Sequence, residues 1–210
     1  MKTLVAEALQ LSRGAVGEKV RAKMAAFDAL RNAGNEEWYS ELCFCVLAAN
    51  SKSRTSRAIQ EELGYAGFSS APFETVRDTI LSNKHRFHNN KARFIVANRA
   101  HLRIKDEVTP LLGDLTAARA WLARNIVGFG YKEASHFLRN VGYGDLAVLD
   151  RHILFLMHEH GMLDAIPKSM TPRQYLLIEK DFLALAKKAK MRAGEFDFYL
   201  WYMRAGDVIK

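Results

Sequence analysis

Apolar residues recur at helical spacing from one end of this 210-residue chain to the other, while the alternating pattern of a half-buried strand is nearly missing. That regularity predicts an all-α protein. Helices are expected over residues 18–32, 38–49, 54–63, 74–82, 90–104, 115–126, 132–141, 151–160, 172–190 and 195–204. The connections, such as "GYAGFSSAP", "TPLLGD" and "GYGD", are rich in turn-forming residues. No repeat of roughly 20–50 residues appears, which argues against a solenoid. No long linker appears either. One folded unit over residues 1–210 is expected, built from two helical subdomains, one of about 38–142 and one of 1–37 with 143–210.

The formal charge of +8 favours a polyanion as partner, with an anionic membrane surface or plain solubility as rival explanations. Charges at Lys2, Glu7, Arg13, Glu18, Lys19 and Arg21 interrupt the start of the chain, so no signal-peptide core is visible. The longest uncharged apolar stretch, "LCFCVLAAN", is too short to span a bilayer. A cytoplasmic protein with no membrane partner, acting as a monomer, is expected. Cys43 and Cys45 point about 200° apart on a helix and cannot pair with each other. Buried free thiols are the expected state, and two cysteines cannot make a four-cysteine zinc site or iron–sulfur cluster.

The stretch "VGFGYKEASHFLRNVG", residues 127–142, combines a turn with the start of a helix. Leu115, Ala118, Leu122 and Ile126 share one face before it, and Ala134, Phe137, Leu138 and Val141 share one after it. Two helices therefore pack across a tight turn. Gly128 and Gly130 allow backbone conformations closed to other residues and let another backbone come close. The helix start that follows offers amides to a phosphate. This is a helix-hairpin-helix, a sequence-independent grip on a DNA backbone.

Lys132 falls in the first turn, away from the buried stripe. An ammonium there opposes the helix dipole, and a neutral amine is a nucleophile. Pairing with a phosphate or with Glu133 is the plainer alternative. Eighteen residues on, Asp150 precedes the helical run with Ile153, Leu154 and Met157 on one side, as an N-cap would. An ionised carboxylate held there can also stabilise the positive charge that develops as a glycosidic bond breaks. His136, His152 and His158 have no partner at metal-binding spacing, so no metal site is expected.

"GFGYKEA" followed by "VLDRH" resembles the signature of the helix-hairpin-helix DNA glycosylases of the endonuclease III superfamily. The usual Leu-Pro-Gly opening of the hairpin is here Ile126-Val127-Gly128, a departure that bears on turn stiffness. The stretches "ELCFCVLAANSKS", "HRFHNNKARFIVANR" and "FDFYLWYMRAGDVIK" are similar to the archaeal and bacterial 8-oxoguanine DNA glycosylases of the second type. The resemblance implies two helical subdomains with the active-site cleft between them, and a bifunctional enzyme. That enzyme excises 8-oxoguanine from double-stranded DNA and then cuts the strand at the abasic site.

Residue by residue, the resemblance implies Lys132 as nucleophile and Asp150 as its assistant. Trp201 and the terminal carboxylate of Lys210 are expected at the extruded base. Asn50 and Phe87, or His88 in place of Phe87, fill the gap that the base leaves in the duplex. Gly128, Gly130, Lys91 and Arg93 are expected on the DNA backbone. No cofactor is implied beyond a structural monovalent cation at the hairpin carbonyls. Two other readings stay open at this point: a glycosylase for oxidised pyrimidines, and a helix-hairpin-helix binding module without catalysis. A binding module has no use for the Lys132 and Asp150 pair.

Overall fold

The run "WYSELCFCVLAA" has apolar residues on every side of a helix, so its stable place is inside a shell of other helices. The computed structural model describes residues 3–208 and encloses this run. Among the described residues there are twelve α-helices, two short 3-10 turns and no strand. In chain order the helices are α1 (Leu4–Ser12), α2 (Ala15–Leu30), α3 (Asn35–Ala48), α4 (Ser53–Ser70), α5 (Phe73–Ser82) and α6 (His88–Ala97). They continue with α7 (Ile104–Val108), α8 (Leu115–Asn125), α9 (Tyr131–Asn140), α10 (Arg151–Glu159), α11 (Pro172–Ala189) and α12 (Ala193–Ala205). The chain divides into two units, residues 30–137 and residues 3–29 with 138–208.

In the unit of residues 30–137, α3 is the central element and packs against α4, α6 and α7. Its buried polar tips are satisfied by backbone: Trp38 Nε1 donates to the Leu30 carbonyl at 2.8 Å and the Tyr39 hydroxyl to that of Ile95 at 3.2 Å. Cys43 and Cys45 are buried thiols outside any disulfide, as expected. The stretch read as the loop "GYAGFSSAP" is instead helical to Ser70, because Gly64 absorbs a break inside α4 at a φ of 56° that lets the helix resume. The single helix expected over 90–104 is also divided: α6 stops at Ala97, a 3-10 turn covers 98–101, and α7 starts at Ile104. At the break stands Asn98, whose fully buried amide bonds to a distant backbone segment.

In the other unit, α1 packs on α11 and α12, and α10 packs on α12. The first half of α12 is buried all round, because Phe196, Phe198, Tyr199 and Leu200 are each at most 1% exposed. Gly194 is what lets α12 approach the segment before α10. Its N–H donates to the Gly144 carbonyl at 2.8 Å, and a Cβ there would stand 2.8 Å from Arg139 Cγ. Arg139 is buried against Asp197 and lies 4.5 Å over the Phe198 ring. Arg192 reaches Asp28 at 2.8 Å and the Gly142 carbonyl at 3.0 Å. Residues 142–150 are thereby held without regular structure of their own.

Candidate active site on the glycine hairpin

The hairpin joins α8 to α9. Asp114 caps α8, accepting hydrogen bonds from the amides of Thr116 and Ala117, and the helix ends where Ile126 turns extended. Ala118, Leu122, Ile126, Ala134, Phe137, Leu138 and Val141 are all buried, as their spacing predicts, while Leu115 at the start of α8 is only half-buried. The turn between is fastened by Asn98: its Oδ1 accepts the Val127 N–H at 2.8 Å and its Nδ2 donates to the Val127 carbonyl at 3.0 Å. This two-point clamp holds both the N–H and the carbonyl of Val127. Only Gly128 of the two glycines has a positive φ, at 92°, and a Cβ on it would meet Phe94 Cδ2 at 2.6 Å. Gly130 needs no special backbone conformation, contrary to the expectation for both. Its virtue is the closeness of Glu133, whose Oε2 accepts the Gly130 N–H at 3.1 Å.

Lys132 stands in the first turn of α9 with its side chain 23% exposed, its Nζ 3.7 Å from Glu133 Oε1. Glu133 therefore serves both the turn and the lysine, while one of the amides expected to face a phosphate is already occupied within the chain. The lysine side chain is half-buried. Lys132 lies in the unit of residues 30–137 and Asp150 in the other.

Asp150 is the N-cap of α10, and its carboxylate accepts the Ile153 N–H at 3.0 Å. The segment before it is held from α11: the Tyr175 hydroxyl accepts the Leu149 N–H at 3.1 Å and donates to the Ala147 carbonyl at 2.7 Å. Glu179 Oε1 takes the Ala147 N–H at 3.0 Å. Asp150 thus sits at the end of a pinned strap rather than on a free loop. Trp201 is half-buried and meets the exposed His152 edge-on, with ring centroids 5.8 Å apart. Lys210 lies outside the described residues.

The sequence model of the 8-oxoguanine DNA glycosylase family matches residues 20–191, most of the chain. The chain belongs to that family. The 8-oxoguanine DNA glycosylase/AP lyase of Methanocaldococcus jannaschii is 40% identical over 207 residues, 99% of each chain. The crystal structure of the M. jannaschii 8-oxoguanine glycosylase/lyase in complex with a 15mer DNA containing 8-oxoguanine is similar with a TM-score of 0.95 at 39% identity, covering 99% of both chains. The crystal structure of the 8-oxoguanine DNA glycosylase of Thermotoga maritima is similar with a TM-score of 0.92 at 37% identity, covering 99% of this chain and 98% of that one. The all-helical fold expected from periodicity is therefore the fold of this 8-oxoguanine DNA glycosylase family.

Of the remaining predicted positions in this family member, Asn50 is exposed just beyond the end of α3, in the left-handed region at a φ of 59°. Phe87 is 37% exposed at the residue before α6. His88 opens α6 and is half-buried, while Arg93 is exposed on that helix. Lys91 corrects the expectation of a backbone-contacting lysine. It is 5% exposed, and its Nζ donates to the Val46 carbonyl at 2.6 Å. Burial lowers this amine from the ordinary 10.5 to about 8, with Lys132 pushing the same way and Glu133 opposing. A buried ammonium committed to a helix-end carbonyl is not available to a phosphate. Among the described residues no group of three His, Cys, Asp or Glu side chains is placed to hold a metal ion, and no helix is long and apolar enough to cross a membrane.

Proposed function

We propose that this protein removes 8-oxoguanine from double-stranded DNA and then cleaves the strand at the resulting abasic site. The observation that carries the reading is Lys132, a half-buried lysine on the first helical turn after a glycine hairpin, in a chain of this family. The neutral Nζ attacks the anomeric carbon, the bond to the base breaks with its electron pair, and the base leaves after taking a proton. The amine then loses a proton as the sugar ring opens to the imine. Loss of an α-proton expels the 3′ phosphate by β-elimination, and water finally hydrolyses the imine to free Lys132. The Asp150 carboxylate stabilises positive charge at the anomeric carbon. Trp201 offers an indole face to the extruded base, and Lys210 its terminal carboxylate.

In this reading Asn50 and Phe87 occupy the vacated position in the duplex. Gly128, Gly130 and Arg93 meet the DNA backbone. No redox cofactor takes part. A monovalent cation at the hairpin would use the second lone pairs of the Ile126 and Val127 carbonyls, whose first accept from Phe129 N–H and Asn98 Nδ2. The substrate lies inside the cell, where the protein is proposed to act. The test is borohydride reduction during turnover of a duplex carrying one 8-oxoguanine. An imine is reducible and a phosphate contact is not, so wild type is trapped covalently while Lys132→Gln binds without trapping. Trapping of that variant at the normal level would assign the nucleophile to another amine.

A further inference from the structure

Asn50 and Phe87 belong to separate segments, one after α3 and one before α6, and the buried side chain of His85 joins them. His85, 2% exposed, uses both ring nitrogens. Its Nδ1 accepts the Phe87 N–H at 3.1 Å, so that nitrogen carries no proton. Nε2 must then carry it, and donates at 2.9 Å to the carbonyl of Leu47, in the last turn of α3. That carbonyl has no partner within its own helix. The tautomer is therefore dictated by its two neighbours.

Other contacts reinforce the same joint. Lys91 caps Val46 one residue earlier, and Arg86 Nη2 lies 3.5 Å from the Asn50 carbonyl. The Arg86 guanidinium covers the Phe87 ring at 4.5 Å. Asn50 holds a left-handed backbone at the exposed end of this braced turn, a conformation that favours asparagine over most other side chains. Burial pushes the His85 imidazole below its ordinary value, and the facing charges of Lys91, His88 and Arg86 act in the same direction against the opposing bond to Leu47. The neutral ring that both hydrogen bonds require is thus the stable one.

We propose that His85 is a positioning residue that sets Asn50 and Phe87 at a fixed separation, so that the two enter the vacated duplex as one rigid wedge. The inference rests on the reading of Asn50 and Phe87 as gap fillers. An asparagine at this position reaches only the Nδ1 site and a glutamine only the Nε2 site, so each keeps one of the two bonds. The experiment measures single-turnover excision of 8-oxoguanine from duplex DNA beside cleavage of a single strand with a ready-made abasic site, which requires no gap filling. His85→Asn and His85→Gln should each slow duplex excision by about tenfold or more, leave single-strand cleavage unchanged, and add nothing when combined with Asn50→Ala.

Equal loss of both activities would reduce His85 to general folding support and overturn the proposal, as would wild-type duplex excision in both variants. The single variants Asn50→Ala and Phe87→Ala separate the two layers. If they slow duplex excision and the His85 variants do not, the His85 inference alone fails. If they leave it unchanged, the gap-filler reading fails, and the His85 inference with it.

Discussion

Replacing Gly128 by alanine strains the hairpin in two independent ways. The φ of 92° lies where an L side chain is rarely found, a conformational cost of about 1–3 kcal/mol. The new methyl would also stand 2.6 Å from Phe94 Cδ2 and 3.2 Å from Cε2. Overpacking of this kind costs about 1–3 kcal/mol, and the half-buried Phe94 ring can yield toward solvent, which favours the lower end. Together these give a destabilisation of about 2–4 kcal/mol, a large share of the 5–15 kcal/mol typical of a folded domain. Gly130→Ala is the internal control. Its φ is not positive and the added Cβ would sit 3.4 Å from Glu133 Oε2, an ordinary contact, so reduced unfolded-state entropy should leave it within about 0.5 kcal/mol of wild type or slightly more stable. Urea unfolding followed by circular dichroism reads both as shifts of midpoint at constant slope. Equal midpoints for the two variants, or a Gly128→Ala loss under about 0.5 kcal/mol, would refute the assignment of strain to position 128.

Asp150→Asn keeps an acceptor for the Ile153 N–H and should melt close to wild type, while single-turnover excision falls by about 10² or more; near-normal excision would return Asp150 to capping alone. Lys91 predicts an alkaline effect: its folded value of about 8 lies below the ordinary 10.5, so the unfolded chain holds more protons between these limits and stability rises with pH across them. Lys91→Met lacks that rise, and its stability relative to wild type should drop by up to about 3 kcal/mol between pH 8 and 10.5, measured by denaturant titration. Cys43 and Tyr39, both pushed up by burial, act oppositely in the same range but equally in the two proteins, so a flat difference would refute the argument. Deleting Lys210 should weaken 8-oxoguanine excision while cleavage of a ready-made abasic site survives, a contrast read from the two substrates side by side; loss of neither activity would remove the terminus from base recognition.

Some of this protein was legible in its sequence because the information is local. A period of 3.6 residues marks α8 and α9, a capping aspartate marks α10, and two glycines before a lysine mark the hairpin, each written within a few consecutive residues. The charge on Lys91 could be read the same way, but not its burial, since the carbonyl it caps belongs to Val46, far away in the chain. Asn98 looked like one more polar residue within a helix, and only the arrival of Val127 beside it turns it into the clamp that shapes the hairpin. Tyr175 and Glu179 gave no sign that they pin the strap before Asp150. His85 likewise shows its use only when Leu47 and Phe87 stand on either side of its ring. The sequence by itself determined most of the helices and the family, because both are patterns along one chain; α1, the length of α4 and the break after α6 were not legible in it. The tertiary structure decided which polar groups became anchors, because a hydrogen bond forms between groups that folding brings within about 3 Å, whatever their separation in sequence.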